Sequence, residues 1–198
     1  MLNLIKLLPH ISTNNMRVLT LTVLFCAFGI HLMAQNVGTQ EITPQVIEKL
    51  RSEIEKQIPS LKQEFEKREM NADEIEFSLD TFRIERLAAK KIELNYSTLG
   101  INVAVNDLTE SYNKLMNKYY NKLFKLIQTD DKEVLIVAQK AWLTFRDKEE
   151  NLIGTLTNKI YSGGGTIQYI IATGSYSEIV KKRSIKIFDY YNNILKKP

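Results

Sequence analysis

The residues best suited to chemistry or to binding lie in one stretch of the chain, Gln139–Asp147, which reads QKAWLTFRD. It contains the only tryptophan, Trp142, and Arg146 follows four residues later. On a helix, Gln139, Trp142, Leu143 and Arg146 share one stripe. The stretch therefore predicts one of two things. Trp142 is a buried anchor with an arginine–acid clamp between helices, or it belongs to a surface patch that contacts a partner.

Two pairs of adjacent acids, Asp130-Asp131 and Glu149-Glu150, are the nearest approach to a catalytic group. A retaining glycosidase holds two carboxyl groups about 5 Å apart across a cleft. Neighbouring residues on a helix diverge by about 100°, so neither pair can do this alone. We therefore expect no enzymatic activity.

Cysteine and histidine occur only near the start of the chain, as Cys26, His10 and His31. Residues 1–34 have the basic beginning, apolar core and small final residue of a secretory signal peptide, with Met16 as an alternative start. Phe25 is too bulky to precede a lipidated cysteine, so a lipoprotein is not expected. Cleavage would leave a chain without Cys or His, which excludes a Ser-His-Asp triad, a thiol nucleophile, a disulfide and a Cys/His zinc site. We expect no metal and no cofactor.

The charges of the remaining chain are nearly balanced. Without Lys6 and Arg17 it has 25 basic and 23 acidic residues. That is not the basic excess of a nucleic-acid-binding protein, and no transmembrane helix is expected after cleavage. We expect an exported protein of the periplasm or the cell surface.

Helical periodicity runs through the rest of the sequence and predicts an all-α bundle of four to five helices with short connections. The predicted helices begin at Thr43-Pro44 with a kink near Ile58, run from Asn71 to about Asn95, cover roughly 103–128 and 131–160, and end at Leu195 after a break near Gly174. Ser97–Gly100 is predicted to be a turn. The helix over 131–160 carries a seven-residue repeat that predicts a buried seam. Its positions are Leu135, Ala138, Trp142, Phe145, Glu149, Leu152 and Leu156.

Several short motifs of this chain stand in the same order as in the LprI-type lysozyme-inhibitor family, which the sequence resembles over about residues 101–190. Gln139–Asp147 is similar to the family's Q-x-A-W-x-x-[FY]-R-D motif. Asn117 and Tyr120 match an upstream L-N-x-x-Y-x-x-L helix. Gly163, Gly164, Gly165 and Thr166 resemble a G-G-S-[IM] turn, and Arg183 stands where a late arginine is expected. Many members also carry cysteines, but the corresponding neighbourhoods here offer Ala104, Glu150 and Ser175, so the disulfides that the family implies are absent.

The resemblance implies a small helical envelope protein that binds a lysozyme-type muramidase and occludes its cleft. Residues 35–100 would then be a lead and two helices packing on an LprI-like domain over 101–198. The alternative is an envelope accessory module without inhibitory activity, whose partner is a protein or a polymer. A compact acidic face would favour the inhibitor, because many lysozymes are cationic. Its candidate members are Asp130, Asp131, Asp147, Glu149 and Glu150.

The motif residues divide into two expected roles. A structural role is expected for Asn117, Tyr120, Gln139, Trp142, Arg146, Asp147 and Arg183. Contact with a partner is expected for Tyr161, Gly163, Gly164, Gly165 and Thr166. The basic cluster of Lys181, Lys182, Arg183 and Lys186 has two interpretations: a favourable placement late in a helix, or contact with an anionic envelope polymer.

Overall fold

A computed structural model describes residues 39–196, and the predicted signal peptide with Cys26, His10 and His31 lies outside them. The described residues are helical, without strands, which confirms the all-α prediction. The helices are α1 (Pro44–Glu55), α2 (Ile58–Lys67), α3 (Ala72–Leu94), α4 (Thr98–Leu126), α5 (Lys132–Leu156), α6 (Lys159–Ser162) and α7 (Ile167–Leu195), with a 3-10 turn at Thr129–Asp131. None of these helices is long and apolar enough to cross a membrane.

The starts of α1 and α3 are fixed by side-chain caps. Thr43 Oγ1 accepts a hydrogen bond from the Val46 amide at 3.3 Å, and Pro44 opens the helix. Asn71 and Glu74 form a reciprocal capping box, with both bonds at 2.9 Å. The predicted kink near Ile58 is a break between α1 and α2, because Pro59 lacks the amide that a continuous helix needs.

Two predicted irregularities are wrong. The expected turn at Ser97–Gly100 is the beginning of α4, since Ser97 Oγ accepts from the Gly100 amide at 3.0 Å and caps the helix. The expected break near Gly174 is absent, and α7 is continuous through it. A glycine inside a helix costs about 1 kcal/mol, which the burial of Ser177 and Val180 in the same helix helps to offset.

The core joins α3, α4 and α7. The rings of Phe77 and Phe188 stack with centroids 3.9 Å apart, and Tyr119 meets both edge-on at 5.3 and 4.9 Å. Tyr119 and Ile187 are fully buried. Along this interface Tyr112 lies beside Lys181, and Tyr119 lies beside Phe188. The order of these contacts shows that α4 and α7 run parallel.

Ion pairs hold α3 against α4 at three levels. Lys91 pairs with Asp107 at 2.6 Å, Lys118 with Asp80 at 2.5 Å, and Lys122 with Asp73 at 2.7 Å. Helices α1 and α2 pack on the other side of α3. Arg83 pairs with Glu55 at 2.6 Å there, and a small apolar cluster forms from Ile58, Phe65 and Leu79.

The predicted seam of α5 is buried only in part. Leu135 is buried, but Phe145, Leu152 and Leu156 are about half exposed, at 51, 48 and 52%. The side of α5 that meets the bundle carries two of the predicted positions, Leu135 and Trp142, together with Gln139. A second row of α5 faces solvent, and we call it the α5 stripe. Its members are Val134, Ala138, Ala141, Phe145, Leu152 and Leu156, all exposed.

Candidate functional site

Two guanidinium groups lie close to the ring of Trp142. The central carbon of Arg146, one turn along α5, and that of Arg183 on α7 each lie 5.6 Å from the ring centroid. Cations over an indole face are attracted by the ring quadrupole. Trp142 is half-buried and packs against the main core. The arrangement joins α5 to α7 at the middle of both helices.

Gln139 completes this junction. Its Oε1 accepts from Nε and Nη2 of Arg183 at 3.1 and 2.9 Å, and its Nε2 lies 3.7 Å from the sulfur of Met116 on α4. Burial lowers the pKa of Arg183, and no carboxylate of residues 39–196 pairs with its guanidinium. One glutamine therefore links three helices through a neutral acceptor.

The arginine–acid clamp expected between helices is not formed by Arg146. Its guanidinium instead donates to Asp147 on the same helix, at 2.9 Å from Nε and 2.7 Å from Nη2. The helix geometry allows this pairing because adjacent residues can wrap their side chains along the surface. Across from it, burial raises the pKa of Tyr176 on α7, the charge of Arg146 opposes this shift, and Glu150 and Asp147 add to it. Tyr176 also packs against the main core, whereas the charge of Arg146 is balanced by Asp147 on its own helix.

The upstream motif residues lie apart from this junction. Asn117 is exposed on α4, and its side chain makes no hydrogen bond to another described residue. Tyr120 is half-buried against the core, and its ring stacks on Phe124 with centroids 6.3 Å apart. The structure therefore brings together Gln139, Trp142, Arg146, Asp147 and Arg183, and it leaves Asn117 outside that group.

The glycine turn between α6 and α7 has a defined backbone. Gly163, Gly164 and Gly165 have φ angles of 77, 84 and 94°, a region that other residues rarely adopt. The Gly163 amide donates to the Lys159 carbonyl at 3.0 Å, which closes α6. Ser162 Oγ accepts from the Gly164 amide at 3.1 Å and donates to the Thr157 carbonyl at 2.9 Å. These bonds fix the course of the turn.

This turn is the centre of an exposed apolar region, residues 157–171, which we call the tip. Its exposed large apolar side chains are Ile160 (88%), Tyr161 (65%), Ile167 (54%), Tyr169 (67%) and Ile171 (49%). No residue from Ile136 to Tyr176 is fully buried. Charge is almost absent here, since Lys159 is the only charged residue between Asn151 and Ser177. Glycine, serine, threonine and tyrosine beside exposed isoleucines are a composition suited to binding.

The five candidate acids do not form one compact face. Asp130 and Asp131 precede α5, whereas Asp147, Glu149 and Glu150 lie about four turns further along it. At 1.5 Å per residue, Asp131 and Asp147 are about 24 Å apart along the helix axis. Asp147 is moreover paired with Arg146. The basic cluster is also partly neutralised, because Lys181 pairs with Glu85 at 2.6 Å.

Sequence reasoning named the turn residues Tyr161, Gly163, Gly164, Gly165 and Thr166, but it missed Ile160, Ile167, Tyr169 and Ile171 beside them. The run of uncharged residues around Lys159 was the signal that would have found them. It also missed the bond between Arg183 and Gln139, which are 44 positions apart. No local pattern reports such a contact.

Residues 89–186 match the family described as Lysozyme inhibitor LprI, which confirms the resemblance found in the motifs. The matched segment contains the end of α3, all of α4, α5 and α6, and most of α7. It includes the Trp142 junction and the whole tip. No curated protein and no solved structure matches the chain.

Proposed function

Since the segment 89–186 belongs to the LprI lysozyme-inhibitor family, we propose that this protein is an exported inhibitor that places its tip in the substrate cleft of a lysozyme-type muramidase. The proposal adds three things to the family match: export, the mode of inhibition by occlusion, and the surface that makes the contact. Export rests on the signal-peptide pattern of residues 1–34.

The exposed, nearly uncharged tip is the observation that carries the proposal. Exposure of large apolar side chains such as Ile160 and Tyr169 to water is unfavourable, and docking in a cleft removes that cost. Tyrosines provide contact area with few rotatable bonds, so little entropy is lost on binding. The turn between Ser162 and Thr166 has no Cβ at three successive positions, which gives it a narrow profile for a cleft.

The Trp142 junction supports the proposal by fixing the base of the tip. Arg183 and Gln139 tie α7 to α5 about five turns below Tyr161. An inhibitor must hold its contact surface in the bound geometry before binding, because ordering it afterwards reduces affinity. In this arrangement the family motif is a support, and the tip is the contact.

Inhibition of cell-wall lysis tests the proposal. The chain from Gln35 onward, purified, should slow the clearing of a cell-wall suspension by a c-type or a g-type lysozyme in a dose-dependent way. Tyr161→Ser combined with Tyr169→Ser should weaken inhibition by about tenfold or more, because it removes two central aromatic contacts.

Tyr190→Ser is the matched control. Tyr190 is also a partly exposed tyrosine of α7, at 43%, but it lies toward the opposite end of the helix. It should inhibit as the unaltered chain does. Equal inhibition by the double variant would refute the tip as the contact surface.

A second candidate function, an envelope accessory module, is favoured by the α5 stripe. Six exposed apolar or small side chains along one row of a helix fit an apolar helix of a partner protein. If folded protein inhibits neither class of lysozyme, this function replaces the first. Phe145→Glu should then abolish binding to the partner while leaving the fold intact, because Phe145 is half exposed.

A further inference from the structure

We infer that Lys159 is the ionic contact of the tip, and that its ammonium pairs with an ionised carboxylate in the catalytic cleft of the muramidase. The inference rests on the proposed function and names the chemistry by which the tip recognises its partner. It starts from the isolation of this charge. Lys159 is the only charged residue of the 27 from Asn151 to Ser177.

The ammonium of Lys159 has no partner within its own surroundings. The residue is exposed at the beginning of α6, and no carboxylate of residues 39–196 forms an ion pair with it. Lys118 and Lys122, by contrast, are each paired with two acids of α3. Other exposed lysines, such as Lys125, also form no ion pair with residues 39–196, and Lys159 differs from them in being the single charge within an apolar surface.

The aliphatic stem of Lys159 packs against the glycine turn. A Cβ at Gly164 would lie 3.2 Å from Cγ of Lys159 and 3.6 Å from its Cβ and Cδ. The stem therefore packs against the backbone of the turn, and a Cβ at Gly164 would require the stem to move by a few tenths of an ångström. This contact restricts the side chain of Lys159, which is exposed.

Docking makes an unpaired ammonium costly. An apolar tip excludes water as it enters a cleft, and a cation that loses its water without gaining an opposite charge is strongly destabilising. The tip can carry one lysine only if the partner supplies an anion at that place. Glycoside hydrolases supply one by necessity, because their chemistry uses a pair of carboxyl groups, one of which is ionised while the other is protonated.

A double-mutant cycle tests the pairing. Lys159→Met keeps a long unbranched stem over Gly164 and removes the charge. Its dissociation constant should be measured for an unaltered muramidase and for two variants in which either catalytic carboxyl group is replaced by the amide. We expect Lys159→Met to weaken binding to the unaltered muramidase at least about tenfold. Against one of the amide variants, the Lys159→Met protein and the unaltered protein should bind equally.

Lys125→Met provides the control, since Lys125 is also an exposed lysine but lies in the last turn of α4. It should bind as tightly as the unaltered chain. Undiminished binding by Lys159→Met would overturn the inference and leave the proposed function standing. A loss that is the same for all three muramidases would also overturn it, because the lysine would then act without the carboxylates. Failure of the unaltered chain to bind any muramidase would overturn both proposals.

Discussion

The guanidinium of Arg183 on α7 stands over the indole ring of Trp142 on α5 and donates two hydrogen bonds to Gln139 one turn away. One residue near the middle of α7 thereby contacts two side chains of α5. The contact fixes both the rotation and the height of α5 against α7, because a shift of either helix by one residue would break it. The tip lies beyond this junction and takes its position from it.

Removal of the Trp142 ring should destabilise the fold. Full burial of a tryptophan is worth about 3–5 kcal/mol against alanine, and Trp142 is only half-buried. We expect Trp142→Ala to lower the free energy of unfolding by about 2 kcal/mol and the melting temperature by roughly 4–8 °C. Thermal denaturation followed by circular dichroism measures this. An unchanged melting temperature with lost inhibition would instead make Trp142 a contact residue.

Arg183→Lys should be destabilising although it keeps the charge. Lysine cannot direct two N–H groups at Gln139 Oε1 and stacks less well on an indole. We expect a loss of about 1 kcal/mol in a urea titration. Arg183→Lys and Gln139→Ala both remove the hydrogen bonds between these two side chains. The double variant should therefore lose less stability than the sum of the two single variants. Additive losses would show that the two side chains act independently.

Substitution by alanine at two glycine positions should change the free energy of unfolding in opposite directions. At Gly164 the φ angle of 84° and the 3.2 Å approach to Lys159 both oppose a Cβ, so Gly164→Ala should cost about 1–2 kcal/mol. Gly154 lies within α5 with nothing within 4 Å of an added Cβ, so Gly154→Ala should stabilise by up to about 1 kcal/mol. Melting temperatures of the two variants give the comparison. A shift of the same sign in both would contradict the described turn.

Acid should weaken the contact between α3 and α4. The hydrogen bond from Lys122 holds the pKa of Glu76 below the ordinary value of a glutamate, although burial opposes this. A carboxyl group whose folded pKa is lowered stabilises the protein above its unfolded pKa, and this stability is lost as pH falls through the folded value. The urea concentration at the midpoint of unfolding should therefore fall as the pH is lowered below about 4.3, the unfolded pKa of a glutamate. Glu76→Gln should reduce that drop, and an unaltered pH profile in this variant would argue against the pairing.

Ionic strength should have little effect on how fast the tip finds its partner. The chain after residue 34 has 25 basic and 23 acidic residues, so it lacks the net negative charge that would steer it to a cationic lysozyme. We expect an association rate constant of about 10⁵–10⁷ M⁻¹s⁻¹ that does not fall as salt is raised. Surface plasmon resonance between about 50 and 300 mM salt measures it. A steep decrease with salt would mean that an acidic surface, not the tip, makes the encounter.

Local chemistry made much of the fold predictable. Thr43, Pro44, Asn71 and Glu74 mark helix starts by side-chain types that satisfy free amides, and the structure places the caps there. The three glycines at 163–165 adopt positive φ, as their lack of a side chain permits. Signals of this kind depend on a few neighbouring residues, so one sequence is enough to read them.

The rotation of a helix about its axis and the burial of its side chains could not be predicted from neighbouring residues. A seven-residue repeat identifies an apolar row on α5, but it does not say whether another helix covers it, and Phe145 and Leu152 remain exposed. Gly174 weakens a helix locally, yet α7 continues through it, and Val180, Ile187 and Phe188 further along the helix are buried in the core. The partner of Arg183 was likewise set by tertiary structure. Each of these errors concerns contacts between residues that are far apart in sequence.

Because α4 and α7 run parallel, the length of α5 determines where α7 begins relative to α4. Two parallel helices cannot be joined by a tight turn, so the chain must travel back along the bundle before α7 begins, and α5 covers that distance with 25 residues. At 1.5 Å per residue its length is about 37 Å. Loss or gain of one helical turn within α5 would shift the start of α7 by about 5 Å against α4. The length of α5 is therefore bound to the register between α4 and α7.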